Sequence, residues 1–218
     1  MVCLLRLERY WLVGLPTLEG VVLLHGLFPR VGLDRPKKFG KRHPIGSKAR
    51  LALALLSYTG VRRSDVVQLG KQHLRNGWLV FRQFKGRNRA PLTAEIPILP
   101  ELQSVVDATD TGDLTFLVTE RGQPFTAPGF GNWFRDRCNE AALKGLSAHG
   151  MRKAAATRAA ERGATAHQLM AIFGWRTIKQ AEVYTRAAER KRLAGAAMHL
   201  LGTDGGQESL TFNQQNRW

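Results

Sequence analysis

Between Ser147 and Arg186 the chain reads SAHGMRKAAATRAAERGATAHQLMAIFGWRTIKQAEVYTR, which brings a His, an Arg, a Trp and a Tyr into one run of helical patterns. His149 and Arg152 stand three positions apart at the start of the first pattern, so both can address one small anion from a single helix face. Near a helix start, the unpaired backbone N–H groups and the positive dipole end point the same way, which makes a phosphate the natural guest. Gly174 ends a second helix and leaves Trp175 in a turn, and Tyr184 falls on a third helix. Trp offers an indole N–H donor and no acid-base capacity. A tyrosine phenol, titrating near ~10, is only about 0.1% ionised at neutral pH, so it attacks only beside a base or a strong positive field.

The elements that must hold these groups can be read upstream. Gly163 ends the His149 helix and Thr165 caps the next. Ser47 caps a mostly apolar helix, KARLALALLSYTG, which Gly60 stops. VRRSDVVQLG then restarts a short helix, with Ser64 and Asp65 at its beginning and Val66, Val67 and Leu69 on its buried side. Arg62 therefore lies in the break between two packed helices, a place where a lone Arg is ordinarily a surface or ion-paired residue. After Gly70 the period changes to that of strands, at His73-Leu74, Trp78–Phe81 and Glu95–Ile98, with Pro97 marking an edge. KGRNR joins the last two strands through a turn with Gly86 and Asn88 at its tip. Lys85, Arg87 and Arg89 crowd this turn, which either reaches a DNA groove or phosphate or is simply solvated. Pro100 opens another helix, and an FLV run at 116–118 reads as strand-like. Thr126 and Pro128 announce a helix whose Phe130, Trp133, Phe134 and Cys138 belong to the core.

The whole chain bounds the partner. At 218 residues with 44% apolar and 23% charged content, it has the makings of one full-sized domain rather than a disordered tail. Thirty-three Lys and Arg against 17 Asp and Glu give a formal +16, an excess that points to a polyanion, nucleic acid first. Cys3 and Cys138 supply neither a disulfide framework nor metal-ligand spacing, which fits a reducing, intracellular setting. Arg6, Glu8, Arg9 and Glu19 interrupt the apolar leader, so no transmembrane segment or secretory signal is expected. Residues 1–34 keep no clean periodicity, and RPKKFGKRHPIGSKAR at 35–50 reads as a solvated basic linker, a run of phosphate contacts, or both. The tail from residue 202 is polar and Gly-containing and is expected to be flexible.

Taken together and in order, TGVRRSD, a hairpin Lys, HGMR, FGW and EVYTR resemble the signature of the tyrosine recombinases, the phage-integrase family. The resemblance covers roughly residues 45 to 200. It implies a mainly helical α+β catalytic domain over residues 41–201, with a small three-stranded antiparallel sheet. It assigns Arg62, Lys85, His149, Arg152 and Trp175 to catalysis, Tyr184 as nucleophile and Asp65 as the acidic support of Arg62. Lys48, Arg50, Arg63, Arg87, Arg89 and Lys153 are the expected DNA contacts. The implied activity is metal-free, cofactor-free cutting and rejoining of double-stranded DNA through a 3′-phosphotyrosyl link. A homotetramer on DNA, an accessory DNA-bending protein and a cytoplasmic, nucleoid-associated location go with it. Members of the family carry a helical core-binding domain ahead of the catalytic one, and residues 1–40 do not read as such a domain. A DNA-binding remnant without strand transfer is thus the alternative.

Overall fold

KARLALALLSYT carries apolar or small residues on nearly every side, and such a helix is stable only when other elements surround it. A computed structural model describes residues 34–88 and 90–202, with side chains from residue 38 onward. The chain runs α1 (Asp34–Arg42), α2 (Lys48–Thr59), α3 (Arg63–Val66), β1 (Leu74–Arg75), β2 (Trp78–Arg82), β3 (Thr93–Pro97), α4 (Pro100–Asp107), α5 (Ala127–Glu140), α6 (Ala148–Glu161), α7 (Ala166–Phe173) and α8 (Ile178–Ala197). Helices α4, α5 and α6 pack around α2, and Leu51, Leu53, Leu55 and Leu56 are fully buried. Ser47 Oγ accepts from Arg50 N to start α2, and Gly60 ends it at φ 60°. A Cβ at Gly60 would lie 2.2 Å from Phe173 Cε1, so both the turn and the close approach call for glycine.

The three strands form one antiparallel sheet in the order β1-β2-β3, with Leu74 opposite Leu79 and Trp78 opposite Pro97. Pro97 lies on an edge strand, as expected, where its missing N–H costs no ladder bond. Alternation along β2 turns Leu79 and Phe81 inward, and the same period carries Gln83 inward as well. The mainly helical class with a small antiparallel sheet is the one observed.

The apolar interior falls into two groups. The larger joins Phe39 of α1 to α2, the sheet, α4, α5 and the start of α6 through Met151. The smaller joins Ala155, Ala156 and Ala160 of α6 to Leu169, Phe173 and Ala181. Helix α6 begins in one group and ends in the other, and Arg152 falls at the junction.

Several expectations change. Asp34–Arg42 is helical rather than an open linker, and Phe39 packs in the larger core beside Phe134, so the expected boundary at residue 40 falls inside α1. Phe116–Val118 is buried but makes only an isolated bridge, Val118 with Pro124, while Phe116 N donates to Leu69 O. His73 closes a 3₁₀ turn, Lys71–His73, instead of opening a strand. Helix α8 runs on to Ala197 and passes into a 3₁₀ turn at Met198–Leu201. The readings of residues 1–33 and of the tail from 203 lie outside the described residues.

Candidate active site

Arg62 occupies the N-cap position of α3, extended at φ −74° and ψ 156°, because the chain must leave the left-handed stop at Gly60 before it can turn again. Its half-buried guanidinium donates from Nη1 to Gln83 Oε1 at 2.6 Å and stands 3.8 Å from Asp65 Oδ2. Asp65 is buried, and its Oδ1 accepts from Phe84 N at 2.8 Å, which ties the base of α3 to the end of β2. Asp65 thus lies beside Arg62, the position that the resemblance gives its acidic neighbour. The amide of Gln83 is a second support, legible in the sequence only as the inward phase of the Leu79, Phe81, Gln83 alternation.

Ser147 Oγ accepts from Gly150 N at 3.1 Å and starts α6, which sets His149 in its first turn, exposed to solvent. Arg152, almost one turn on, is only 8% exposed. Its Nη1 donates to Gly60 O at 2.5 Å and its Nη2 to Phe173 O at 2.6 Å. One side chain therefore fastens the end of α2 to the end of α7, across both core groups. Burial pushes the Arg152 pKa down to about 10, neighbouring Arg62 adds to the shift, and Asp65 and Tyr184 oppose it. The guanidinium stays charged at neutral pH.

Gly174 ends α7 at φ 59°, and Trp175 N reaches back to Met170 O. Trp175 stacks between Phe173, at 5.0 Å and 18° between ring planes, and Tyr184, at 5.1 Å and 9°. The Arg152 guanidinium lies over this stack, 5.1 Å from the Phe173 ring and 5.7 Å from the Trp175 ring. Tyr184 is half-buried on α8, whose inward positions Ala181 and Thr185 are buried.

A cleft of about 610 Å³ gathers Arg62, Arg63, Lys85, His149 and Arg152 along its walls, with Asn132 and Arg135 of α5. Four of the six expected catalytic residues thus share one space. Trp175 and Tyr184 are not part of its lining; they reach the site through the stack behind Arg152. Asn132 and Arg135, joined by a 2.9 Å bond from Nη2 to Oδ1, are cleft residues that the sequence reading passed over. Their signal was the polar face of α5 opposite Phe130 and Phe134. A neighbouring cleft of about 560 Å³ shares Ser64 and Ala127 with this one and has no charged side chain in its lining.

Of the expected DNA contacts, Arg63, Arg87 and Lys153 are exposed, with the Arg87 guanidinium 3.9 Å above the Phe84 ring. Lys48 is half-buried and donates from Nζ to Thr119 O at 3.2 Å. Arg50 is a correction: it is 3% exposed inside the packed face of α2, where burial lowers its pKa, and it presents no surface to DNA. Arg89 lies outside the described residues. Among the described residues no three His, Cys, Asp or Glu side chains converge in a way that could hold a metal ion. No helix among them is long and apolar enough to cross a membrane.

The fold matches solved structures at low identity. XerA recombinase superposes with a TM-score of 0.62 at 18% identity, over 76% of this chain and 64% of that one. A lambda integrase fragment, residues 75–356, solved as a dimer bound to a COC′ core site gives 0.56 at 17%, over 67% and 57%. The Tn1549 transposon integrase in complex with transposon right end DNA gives 0.54 at 19%, over 72% and 63%. The chain thus spans less than two thirds of the length of each of these solved chains. No curated protein sequence matches it. The model of the phage integrase family matches residues 35–191, from α1 into α8 and across every element that carries the site, and the chain belongs to that family.

Proposed function

We propose that the protein is a site-specific DNA strand transferase that cuts and rejoins DNA through a covalent 3′-phosphotyrosyl intermediate. The observation that carries this reading is the cleft in which Arg62, Lys85, His149 and Arg152, drawn from three separate segments, face one another. Tyr184 is held one ring-stack away. The scissile phosphate enters the cleft, and Arg62 and Arg152 hold its non-bridging oxygens. Charge on those oxygens grows toward the pentacoordinate transition state, so the guanidinium contacts strengthen there and lower the barrier without a metal ion. Tyr184 swings from Trp175 to bond phosphorus through Oη as the P–O5′ bond breaks. His149 accepts the phenolic proton, and Lys85 supplies the proton that the departing 5′-oxygen takes up. The ester is conserved, so a 5′-hydroxyl from another strand reverses the step without ATP. Strand exchange is that reversal.

Double-stranded DNA is the partner, and the catalytic unit runs from α1 to the 3₁₀ turn after α8, residues 34–201. Among the structural neighbours, XerH is solved bound to difH substrate and lambda integrase as a tetramer bound to a Holliday junction. We extend that assembly to this chain as a homotetramer on DNA with an accessory DNA-bending protein, in the cytoplasm with the nucleoid. Exposed Leu193, Met198, Leu200 and Leu201 at the end of the last helix support subunit contact.

The test is covalent capture. The protein is incubated in EDTA with a pool of nicked duplexes carrying a randomised central site, and protein-linked strands are recovered after denaturation and sequenced. A defined site should emerge with the wild-type chain and vanish with Tyr184→Phe while duplex affinity persists. Adducts retained in Tyr184→Phe, or none from the wild-type chain, sink the proposal.

A further inference from the structure

The turn that carries Lys85 is held at both ends. At its root, Gln83 is buried, accepts from Arg62, and packs so tightly on the α7–α8 loop that a Cβ at Gly174 would come within 2.0 Å of Gln83 Nε2. At its far limb, the Arg176 guanidinium, from the same loop, donates through Nη2 to Ala90 O. That nitrogen also lies 3.4 Å from where a Cβ at Gly86 would stand. Within the turn, Ala90 N donates to Gly86 O at 2.9 Å, and Arg82 Nη2 donates to Arg87 O at 3.1 Å. A restraint on Ala90 is therefore passed to Gly86, and Lys85 is the next residue. Arg62, Gln83, Lys85, Gly86 and Arg176 surround a space of about 160 Å³ behind the cationic cleft.

We propose that Arg176 is a positioning residue for Lys85, a latch that fastens the β2–β3 turn to the loop presenting Trp175. The proposal rests on the strand-transfer reading above, in which Lys85 protonates the leaving oxygen. An exposed lysine on an untethered turn samples many positions, and a misplacement of about 1 Å can cost on the order of 10²-fold in rate. Arg176 touches neither the phosphate nor the proton. Its planar fork, fixed by an acceptor on the opposite limb, restricts where the Lys85 backbone can go. The acceptor is a carbonyl, so the latch closes without a carboxylate that would compete for Lys85.

The test separates positioning from binding. The duplex recovered by covalent capture is remade with sulfur in place of the bridging 5′-oxygen at the cut site. Attack by Tyr184 then breaks a P–S bond, and the thiolate leaves with its electron pair and needs no proton. Arg176→Ala is expected to lower single-turnover cleavage of the oxygen duplex by about 10²-fold with affinity unchanged. On the sulfur duplex most of that deficit should disappear, Lys85→Ala should show the same selectivity, and Arg176→Lys should recover part of the rate. Equal losses on both duplexes, or a rate loss matched by lost affinity, would make Arg176 a DNA contact and overturn the latch. Hydrogen exchange of the free 218-residue chain gives a second reading that does not depend on cleavage. Amides of the turn should exchange faster in Arg176→Ala, and unchanged exchange overturns the latch by itself. Failure of the wild-type chain to cut either duplex removes the strand-transfer reading, and Lys85's role with it, whatever the exchange result.

Discussion

Arg152 has a structural duty beside the catalytic one proposed for it, and its replacement tests both at once. Replacing it with Ala leaves the carbonyls of Gly60 and Phe173 without their donors in a buried place, a loss of roughly 2–4 kcal/mol. Urea unfolding of Arg152→Ala should show that loss, so its inactivity will report folding as well as catalysis. Arg62→Ala likewise strips the buried Gln83 amide and Asp65 carboxylate of their cation, so its melting transition should fall too. Arg62→Lys, which keeps the charge and loses the fork, is the cleaner probe, and single-turnover cleavage should fall by about 10²–10³-fold. Cys138 gives a different kind of check. Burial pushes its thiol from 9.0 up to about 12, so the folded protein holds the proton where the unfolded chain has lost it. The sign follows: stability contributed by this thiol is complete below the unfolded value and declines as pH climbs from 9.0 toward 12. In Cys3→Ser protein at pH 8, a thiol reagent should leave Cys138 untouched until denaturant is added, and rapid native labelling would contradict the packing of α5.

At the scale of elements, two helix stops decide whether the site exists. Gly60 and Gly174 both lie in the left-handed region, and each meets a neighbour that leaves no room for a methyl group. Gly174→Ala combines backbone strain with displacement of Gln83, and should cost roughly 2–4 kcal/mol. Gly77→Ala, at φ 79° with nothing within 4 Å of the new Cβ, carries the strain alone and should cost about 1 kcal/mol. Thermal melts of the two variants side by side test that order, and equal shifts would mean that the Gln83 contact is not tight. Much at this scale was legible from the chain: Ser47, Thr126 and Thr165 each accept the bond from the N–H three residues on. Local signals suffice there, because a cap is settled within four residues of sequence. The strand-like reading of 116–118 failed for the opposite reason: its apolar run was spent on core packing, and among the described residues only the Val118–Pro124 bridge lies alongside.

For the whole molecule, a formal +16 predicts salt-sensitive binding to duplex DNA. If six to ten phosphates are engaged, affinity should fall by about 10³–10⁵-fold between 50 and 200 mM salt, a slope measurable by fluorescence anisotropy. The count of basic residues overstates the contact surface. Arg50 is buried, and Arg158 donates to Ser57 O at 2.9 Å from a half-buried position, so both serve the fold. A slope as steep as the full charge would give is therefore not expected.

The chain by itself determined the helical punctuation, the hairpin, the basic charge excess and the ordered set from Arg62 to Tyr184, since each depends on residue type and short spacing. Tertiary packing decided what those groups face. It placed Arg62, Lys85, His149 and Arg152 around one cleft, hid Arg50, added Asn132 and Arg135, and stacked Tyr184 on Trp175 behind the cleft. Gln83 and Arg176 acquire meaning only there, because their partners lie 21 and 86 positions away and no local pattern reports a contact of that reach.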